Sequence, residues 1–220
     1  MAPKSGEKVL RFGAVARFAH WSHTVTFLLL AFTGMLIYMD VLDFLAPLFG
    51  GMQGARLLHR IAAVGFIVLP ILSLFANPAG FKEWMSHVFR WGANDFAFFG
   101  AFVKEFFGAH VEVPPQGRFN AGEKVNSLLQ LVGCTLLAIS GLILWFPQGF
   151  SQGTQQLALI VHDLAFVLTF TAMIGHAYLA LFHPKTNEAI NGMLSGYVDA
   201  EFAKSHYPLW YQEIKGKMRG

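Results

Sequence analysis

Leu157–Phe182 reads LALIVHDLAFVLTFTAMIGHAYLALF, an apolar run that carries two histidines, His162 and His176, and one acid, Asp163. At about 1.5 Å of rise per residue, a helix of this length crosses a hydrocarbon core about 30 Å thick. Ionisable side chains inside such a span are costly, so they mark functional positions by default. His176 follows His162 by 14 positions. At about 100° per residue that is roughly 40° short of four turns, with about 21 Å of rise. The two imidazoles therefore share one face of the helix at two depths.

Three further runs of similar length, about 18–38, 57–75 and 125–146, complete a set of four expected transmembrane helices. Composition agrees with them. Of 220 residues, 55% are hydrophobic, 15% aromatic and only 13% charged, with a mean hydropathy of +0.48; soluble domains average roughly 25% charged residues. Segment 95–109 (DFAFFGAFVKEFFGA) mixes Phe with a few charges and predicts a helix lying in the membrane interface, ended by Pro114 and Pro115. Residues 183–220 are expected to fold as a tail on the cytoplasmic face, with Trp210 and Tyr211 in it. The fold class is an all-α integral membrane protein, a single domain over 1–220 built on a four-transmembrane-helix bundle. Cys134 is the only cysteine. That excludes an internal disulfide, a Cys-x-x-Cys-His haem attachment and a four-cysteine iron–sulfur site. Its apolar surroundings read as those of a buried, inert thiol.

Basic residues set the orientation. Lys4, Lys8, Arg11 and Arg17 accompany the first span's leading end; Lys82, Arg90, Lys104, Arg118 and Lys124 lie between spans two and three. Lys185, Lys204, Lys215, Lys217 and Arg219 follow span four, and of the 16 Lys and Arg residues only Arg56 and Arg60 fall on the other side. Both termini are therefore expected in the cytoplasm. The net charge of +3 and pI near 9.1 have this origin and do not call for nucleic acid. The first run ends without a small-residue cleavage site, so it reads as a span rather than a signal peptide.

With that orientation His20 and His23 lie near the cytoplasmic surface, His59 and His162 near the external one, and His176 deep on the cytoplasmic side. The levels pair His59 with His162, and His20 or His23 with His176. One histidine from each of two facing helices clamps a six-coordinate haem. No axial position is left open for substrate, which suits electron transfer. Two such sites stack in one bundle. A zinc or di-iron site would want three or four ligands at one level, often with carboxylates. The only acid at hand is Asp163, which reads as a first-turn helix charge or as a partner of a neighbouring histidine or Arg60. Gly34, Gly65, Gly133, Gly141 and Gly175 lie in the spans, where small residues serve close helix contact or make room for a cofactor. His87, His110, His183 and His206 fall outside the spans.

Six stretches now gain a common meaning: Arg17-Phe-Ala-His20-Trp21, Arg56-Leu-Leu-His59, Phe119-Asn120-Ala-Gly122-Glu123-Lys124, Ile160-Val-His162, His176-Ala-Tyr178 and Ala203-Lys-Ser-His-Tyr-Pro-Leu-Trp210-Tyr211. Through them the chain resembles, nearly end to end, the cytochrome b (gamma) subunit of membrane-bound formate dehydrogenase. The histidine layout is shared with cytochrome b subunits of nickel–iron hydrogenases and thiosulfate reductases. The Asn-Ala-Gly stretch and the Trp-Tyr tail favour the formate dehydrogenase branch. The resemblance implies two haem b groups, held by His59 with His162 and by His20 with His176, which selects His20 over His23. It implies a quinone site at Asn120 and Gly122 beside His176, with menaquinone or ubiquinone as substrate. Glu123 stands where such subunits carry Gln.

By residue type alone, Asn120 can hydrogen-bond a quinone, Gly122 lets a flat ring approach the backbone, and Glu123 can take up a proton. The same Asn-x-x-Glu spacing also reads as a helix N-cap with its N3 acid. The partners implied are an iron–sulfur subunit and a molybdenum- or tungsten-dependent catalytic subunit, in a bacterial cytoplasmic (inner) membrane. No residues for oxidising formate itself are present. The short, weakly charged external loops, about 39–56 and 147–156, suit docking of the iron–sulfur partner. The reading from another class is a haem-free membrane anchor or transporter whose histidines serve protons or packing.

Overall fold

The computed structural model describes residues 6–217. Lys4 and Arg219, two of the charges that orient the chain, lie outside the described residues. Among the described residues, four helices are long and apolar enough to cross a membrane: α1 (Ala14–Tyr38), α2 (Met52–Ala76), α5 (Ala121–Trp145) and α6 (Gln152–Leu181). Each begins before its apolar run does, because helical hydrogen bonding continues past the hydrocarbon into the interface. Between α1 and α2 the chain makes 3₁₀ turns over Asp40–Phe49 and reverses at Gly50 and Gly51, whose φ values of 77° and 86° suit residues without a Cβ. The segment expected as a helix over 95–109 falls largely in α4 (Ala93–Phe106), and a further helix, α3 (Pro78–Val88), precedes it. Pro78 opens α3 at the position where its missing N–H costs nothing. Asp95 caps α4 by accepting from the Gly92 N–H at 2.9 Å.

The described chain divides into two compact units. One comprises α1, α2, the later part of α5 and the earlier part of α6. It buries a small set of residues, among them Phe27, Ala31 and Leu36 of α1, Ala55, Ala62 and Phe66 of α2, and Ala158 and Ala165 of α6. Large apolar side chains such as Phe32, Ile61, Leu164 and Val167 point outward, as lipid-facing helices require. Helix contacts rest on small residues. A Cβ at Gly65 would come 3.2 Å from the Thr26 methyl, and one at Gly133 would collide with the Thr169 methyl. Hydroxyls are turned onto their own helix: Thr26 donates to the Ser22 carbonyl at 2.8 Å and Thr169 to that of Ala165 at 2.7 Å.

The other unit gathers residues 79–132 with the described part of the arm before α1 and the described residues after 170. Here the all-α expectation gains an exception. Strand β1 (Lys8–Leu10) pairs antiparallel with β2 (Tyr197–Asp199), Val9 opposite Val198. Outside hydrocarbon the arm has no helix of its own, and pairing with the tail satisfies its backbone. The short α7 (Ile190–Leu194) precedes β2; α8 (Ala200–His206) and α9 (Pro208–Lys217) follow it. Val9 of the arm packs with Val198, Ala200, Ala203, Tyr207, Trp210 and Tyr211 of the tail in one buried core.

The Gly133–Thr169 contact is tight and its Thr side chain is fully buried and stiff. Gly133→Ala is expected to cost about 1–3 kcal/mol of overpacking. Thermal inactivation of detergent-solubilised protein measures it, and adding Thr169→Ser, which removes the offending methyl, should restore most of the loss.

Candidate functional site

His59 projects from α2 and His162 from α6, and the two imidazoles lie within coulombic reach of one another. Both rings are held in the same way. His59 Nδ1 lies 2.9 Å from Thr33 Oγ1 on α1, and His162 Nδ1 lies 3.0 Å from Ser140 Oγ on α5. Each hydroxyl already donates its single proton to a carbonyl one turn back, Thr33 to Leu29 at 2.6 Å and Ser140 to Leu136 at 2.6 Å. Each oxygen can therefore only accept from the ring. The Leu30 carbonyl is a further acceptor for His59, and that of Leu137 for His162. Both imidazoles are thus Nδ1–H tautomers whose Nε2 lone pair is left for a metal.

The glycines of the spans divide by role. A Cβ at Gly34 would lie 3.3 Å from His59 Cε1, and one at Gly141 would lie 3.3 Å from His162 Cε1. These two let a helix approach the ring edges. Gly65 and Gly133 serve helix contact, and Gly175 meets nothing within 4 Å. Asp163 sits well inside α6, which begins at Gln152, so it is not a first-turn charge. It lies within coulombic reach of His162, while the Arg60 guanidinium stands 5.5 Å from the centre of the Trp145 ring. Sequence reasoning missed Thr33 and Ser140. The only signal was a hydroxyl residue directly before a span glycine.

The structure also separates His20 from His23. The His23 ring stacks on Phe66 at 5.0 Å and on Phe27 at 6.1 Å, and its Nε2 points to Cys134 Sγ, 3.9 Å away. It is packed into its own unit. His20 stands edge-on to Trp21 at 5.1 Å. His176 lies in the unit that contains the Asn120 stretch, within coulombic reach of Glu123.

Asn120 and Glu123 form a reciprocal cap on α5. The Glu123 N–H donates to Asn120 Oδ1 at 2.9 Å, and the Asn120 N–H donates to Glu123 Oε2 at 2.8 Å. The carboxylate is also gripped from both ends of the chain. Arg11 Nη2 reaches Oε1 at 3.1 Å, and the Tyr207 hydroxyl donates to the same oxygen at 2.8 Å. Arg11 is buried, with its guanidinium 3.7 Å from the centre of the Tyr207 ring. Burial pushes the Tyr207 pKa far above the usual tyrosine range, against the pull of Arg11, so the hydroxyl stays a donor. Next to this stretch Lys124 is buried on Asp95 at 2.7 Å. Phe119 and Lys124, which flank the motif, line a cavity of about 620 Å³ together with Trp91, Asn94, Arg118 and Trp210. Gly122 is exposed, and a Cβ there would lie 3.3 Å from Asn120 Oδ1.

Residues 11–196 match the family model described as prokaryotic cytochrome b561. The chain belongs to that family. As a membrane cytochrome b it serves electron transfer, and haem b is its cofactor class. The donor set of His59 and His162 fits that group: neutral imidazoles with Nε2 free, on helices that glycine brings close. The cytochrome is similar to the formate dehydrogenase cytochrome b556(fdo) subunit of Escherichia coli strain K12, 28% identical over 215 residues that span 96% of each chain. It is 26% identical to that strain's nitrate-inducible cytochrome b556(Fdn) subunit, over 94% of this chain and 92% of the relative. It is 25% identical to the formate dehydrogenase cytochrome b556 subunit of Haemophilus influenzae, over 94% and 83%.

Removing a partner from the Glu123 grip should rank by charge. Arg11→Met strands a carboxylate among fixed dipoles and should cost about 3 kcal/mol. Tyr207→Phe loses one hydrogen bond and should cost about 1 kcal/mol. Protease resistance of the C-terminal tail in urea measures both.

Proposed function

We propose that this cytochrome is the membrane electron-transfer subunit of a formate dehydrogenase complex. It takes electrons from an iron–sulfur subunit, served by a molybdenum- or tungsten-dependent catalytic chain, and delivers them to menaquinone or ubiquinone near the cytoplasmic face. The names of its relatives support the complex. The observation that carries the electron-transfer role is the matched pair His59 and His162, each with Nδ1 tied to a buried hydroxyl and Nε2 free. Haem b, when bound, supplies one-electron carriage. One haem would be held by His59 and His162. The second would be held by His20 and His176, a pairing supported by their depth along the spans and by the packing of His23 against Phe66, Phe27 and Cys134. The basic residues favour an orientation with both termini in the cytoplasm.

The quinone end falls to Asn120, Gly122 and Glu123. Asn120 Oδ1 is engaged in the α5 cap and its amide group also bonds the Tyr207 side chain, which leaves one of its two amide N–H groups to offer a quinone carbonyl. Gly122 lets a ring approach the backbone beside it. Glu123, tied to Arg11, Tyr207 and the Asn120 N–H, keeps Asn120 in place and is not the obligatory proton carrier. The nearby cavity beside Phe119 and Lys124 has the size for a ring-bearing ligand.

Three substitutions test this. His59→Ala should halve the b-haem content and leave the remaining reduced-minus-oxidised spectrum intact; retention of both haems at full content would refute the ligand assignment. Asn120→Leu in the assembled complex should lower quinone reduction at least tenfold while both haems are still reduced by formate. Unchanged quinone turnover would remove Asn120 from the site. Glu123→Gln, which keeps the hydrogen bond to the Asn120 N–H, should retain most of the activity.

A further inference from the structure

Two hairpins of the same construction meet at His59 and His162. On α1 the neighbours Thr33 and Gly34 face His59 of α2; on α5 the neighbours Ser140 and Gly141 face His162 of α6. In each, the hydroxyl holds ring Nδ1, at 2.9 and 3.0 Å, and the glycine clears ring Cε1, at 3.3 Å in both. The likeness continues along the helices. Seven positions before the hydroxyl, Thr26 opposes Gly65 in one hairpin, and Gly133 opposes Thr169 in the other. Both hydroxyls are shut away from solvent, Thr33 at 0% and Ser140 at 2% exposure, so no water competes for the ring proton.

We propose that Thr33 and Ser140 are positioning residues that fix the tautomer and azimuth of the two imidazoles and so set the redox potential of the centre they serve. This rests on the reading that His59 and His162 share one haem. The sign follows from the bonds. Each hydroxyl has spent its proton on a backbone carbonyl, so it can only accept, and an accepted Nδ1–H raises electron density at Nε2. A more basic axial ligand favours the oxidised, more positively charged iron, so both hydroxyls hold the potential down. Because the Leu30 and Leu137 carbonyls remain as secondary acceptors, loss of one hydroxyl shifts the potential without freeing the ring.

The test is potentiometric titration of the two b-haem waves in the purified complex, with haem content measured alongside. Thr33→Val and Ser140→Ala should each keep full haem content and each move one wave upward. The expected change is roughly threefold in the reduced-to-oxidised ratio at fixed potential, ~30 mV at about 59 mV per tenfold for one electron. Thr33→Ser and Ser140→Thr, which keep the hydroxyl, should leave both waves in place. If neither wave moves in the hydroxyl-free variants, or if the hydroxyl-keeping variants move as far, the inference is wrong. If the two variants move different waves, Thr33 and Ser140 still act on their rings and the shared-haem reading fails instead. Should one variant not assemble, the hairpin with the other hydroxyl decides the outcome alone.

Discussion

In the hydrocarbon interior no water is available to satisfy a polar group, and that constraint shapes every part of this chain that crosses it. Backbone amides and carbonyls close on themselves in four helices. Side-chain hydroxyls follow the same rule, with Thr24, Thr26, Thr33, Ser73, Ser140 and Thr169 each donating to a carbonyl four residues back. A hydroxyl so committed has lone pairs left over, and in two places those lone pairs meet an imidazole. Burial of a histidine edge thus depends on a residue that first had to satisfy itself. The order of dependence runs from solvent to helix, from helix to hydroxyl, and from hydroxyl to ring tautomer.

Glycine makes that chain of dependence geometrically possible. An imidazole edge needs the opposing helix close by, and a Cβ at Gly34 or Gly141 would press on the ring carbon. Where no imidazole intervenes, at Gly65 and Gly133, the same lack of a side chain admits a threonine methyl instead. One residue type thus serves two purposes. The difference between them lies wholly in what the neighbouring helix presents.

Outside the spans the physics changes, and so does the means of holding shape. The tail core is small, and charge is buried rather than avoided: Arg11 on Glu123, and Lys124 on Asp95. Buried pairs of this kind add little net stability but are costly to break, which makes them good at specifying one arrangement. Arg11 comes from the arm before α1, Glu123 from the first turn of α5, and Tyr207 from the far end of the chain. Two segments distant in sequence are thereby tied to the stretch that carries Asn120 and Gly122.

Number, length and approximate limits of the spans were legible in the sequence, because hydrocarbon thickness and helical rise leave little choice. So were the positions of His20, His59, His162 and His176 along their helices, since rise and turn per residue are constants of the helix. The Asn120–Glu123 cap was legible as a motif, for it is local. The limits of the helices beyond the apolar runs were not, nor was the break between α3 and α4, because interface and tail are polar enough to blur the pattern. Thr33 and Ser140 could not be told from the other back-bonded hydroxyls, and helix geometry alone did not foresee the packing of His23 on Phe66 and Phe27. Those distinctions, and the grip of Arg11 and Tyr207 on Glu123, depend on which helix or strand lies opposite and in what register. Only tertiary packing decides that, because contacts across many residues are set by the fit of whole surfaces and leave no period in the chain.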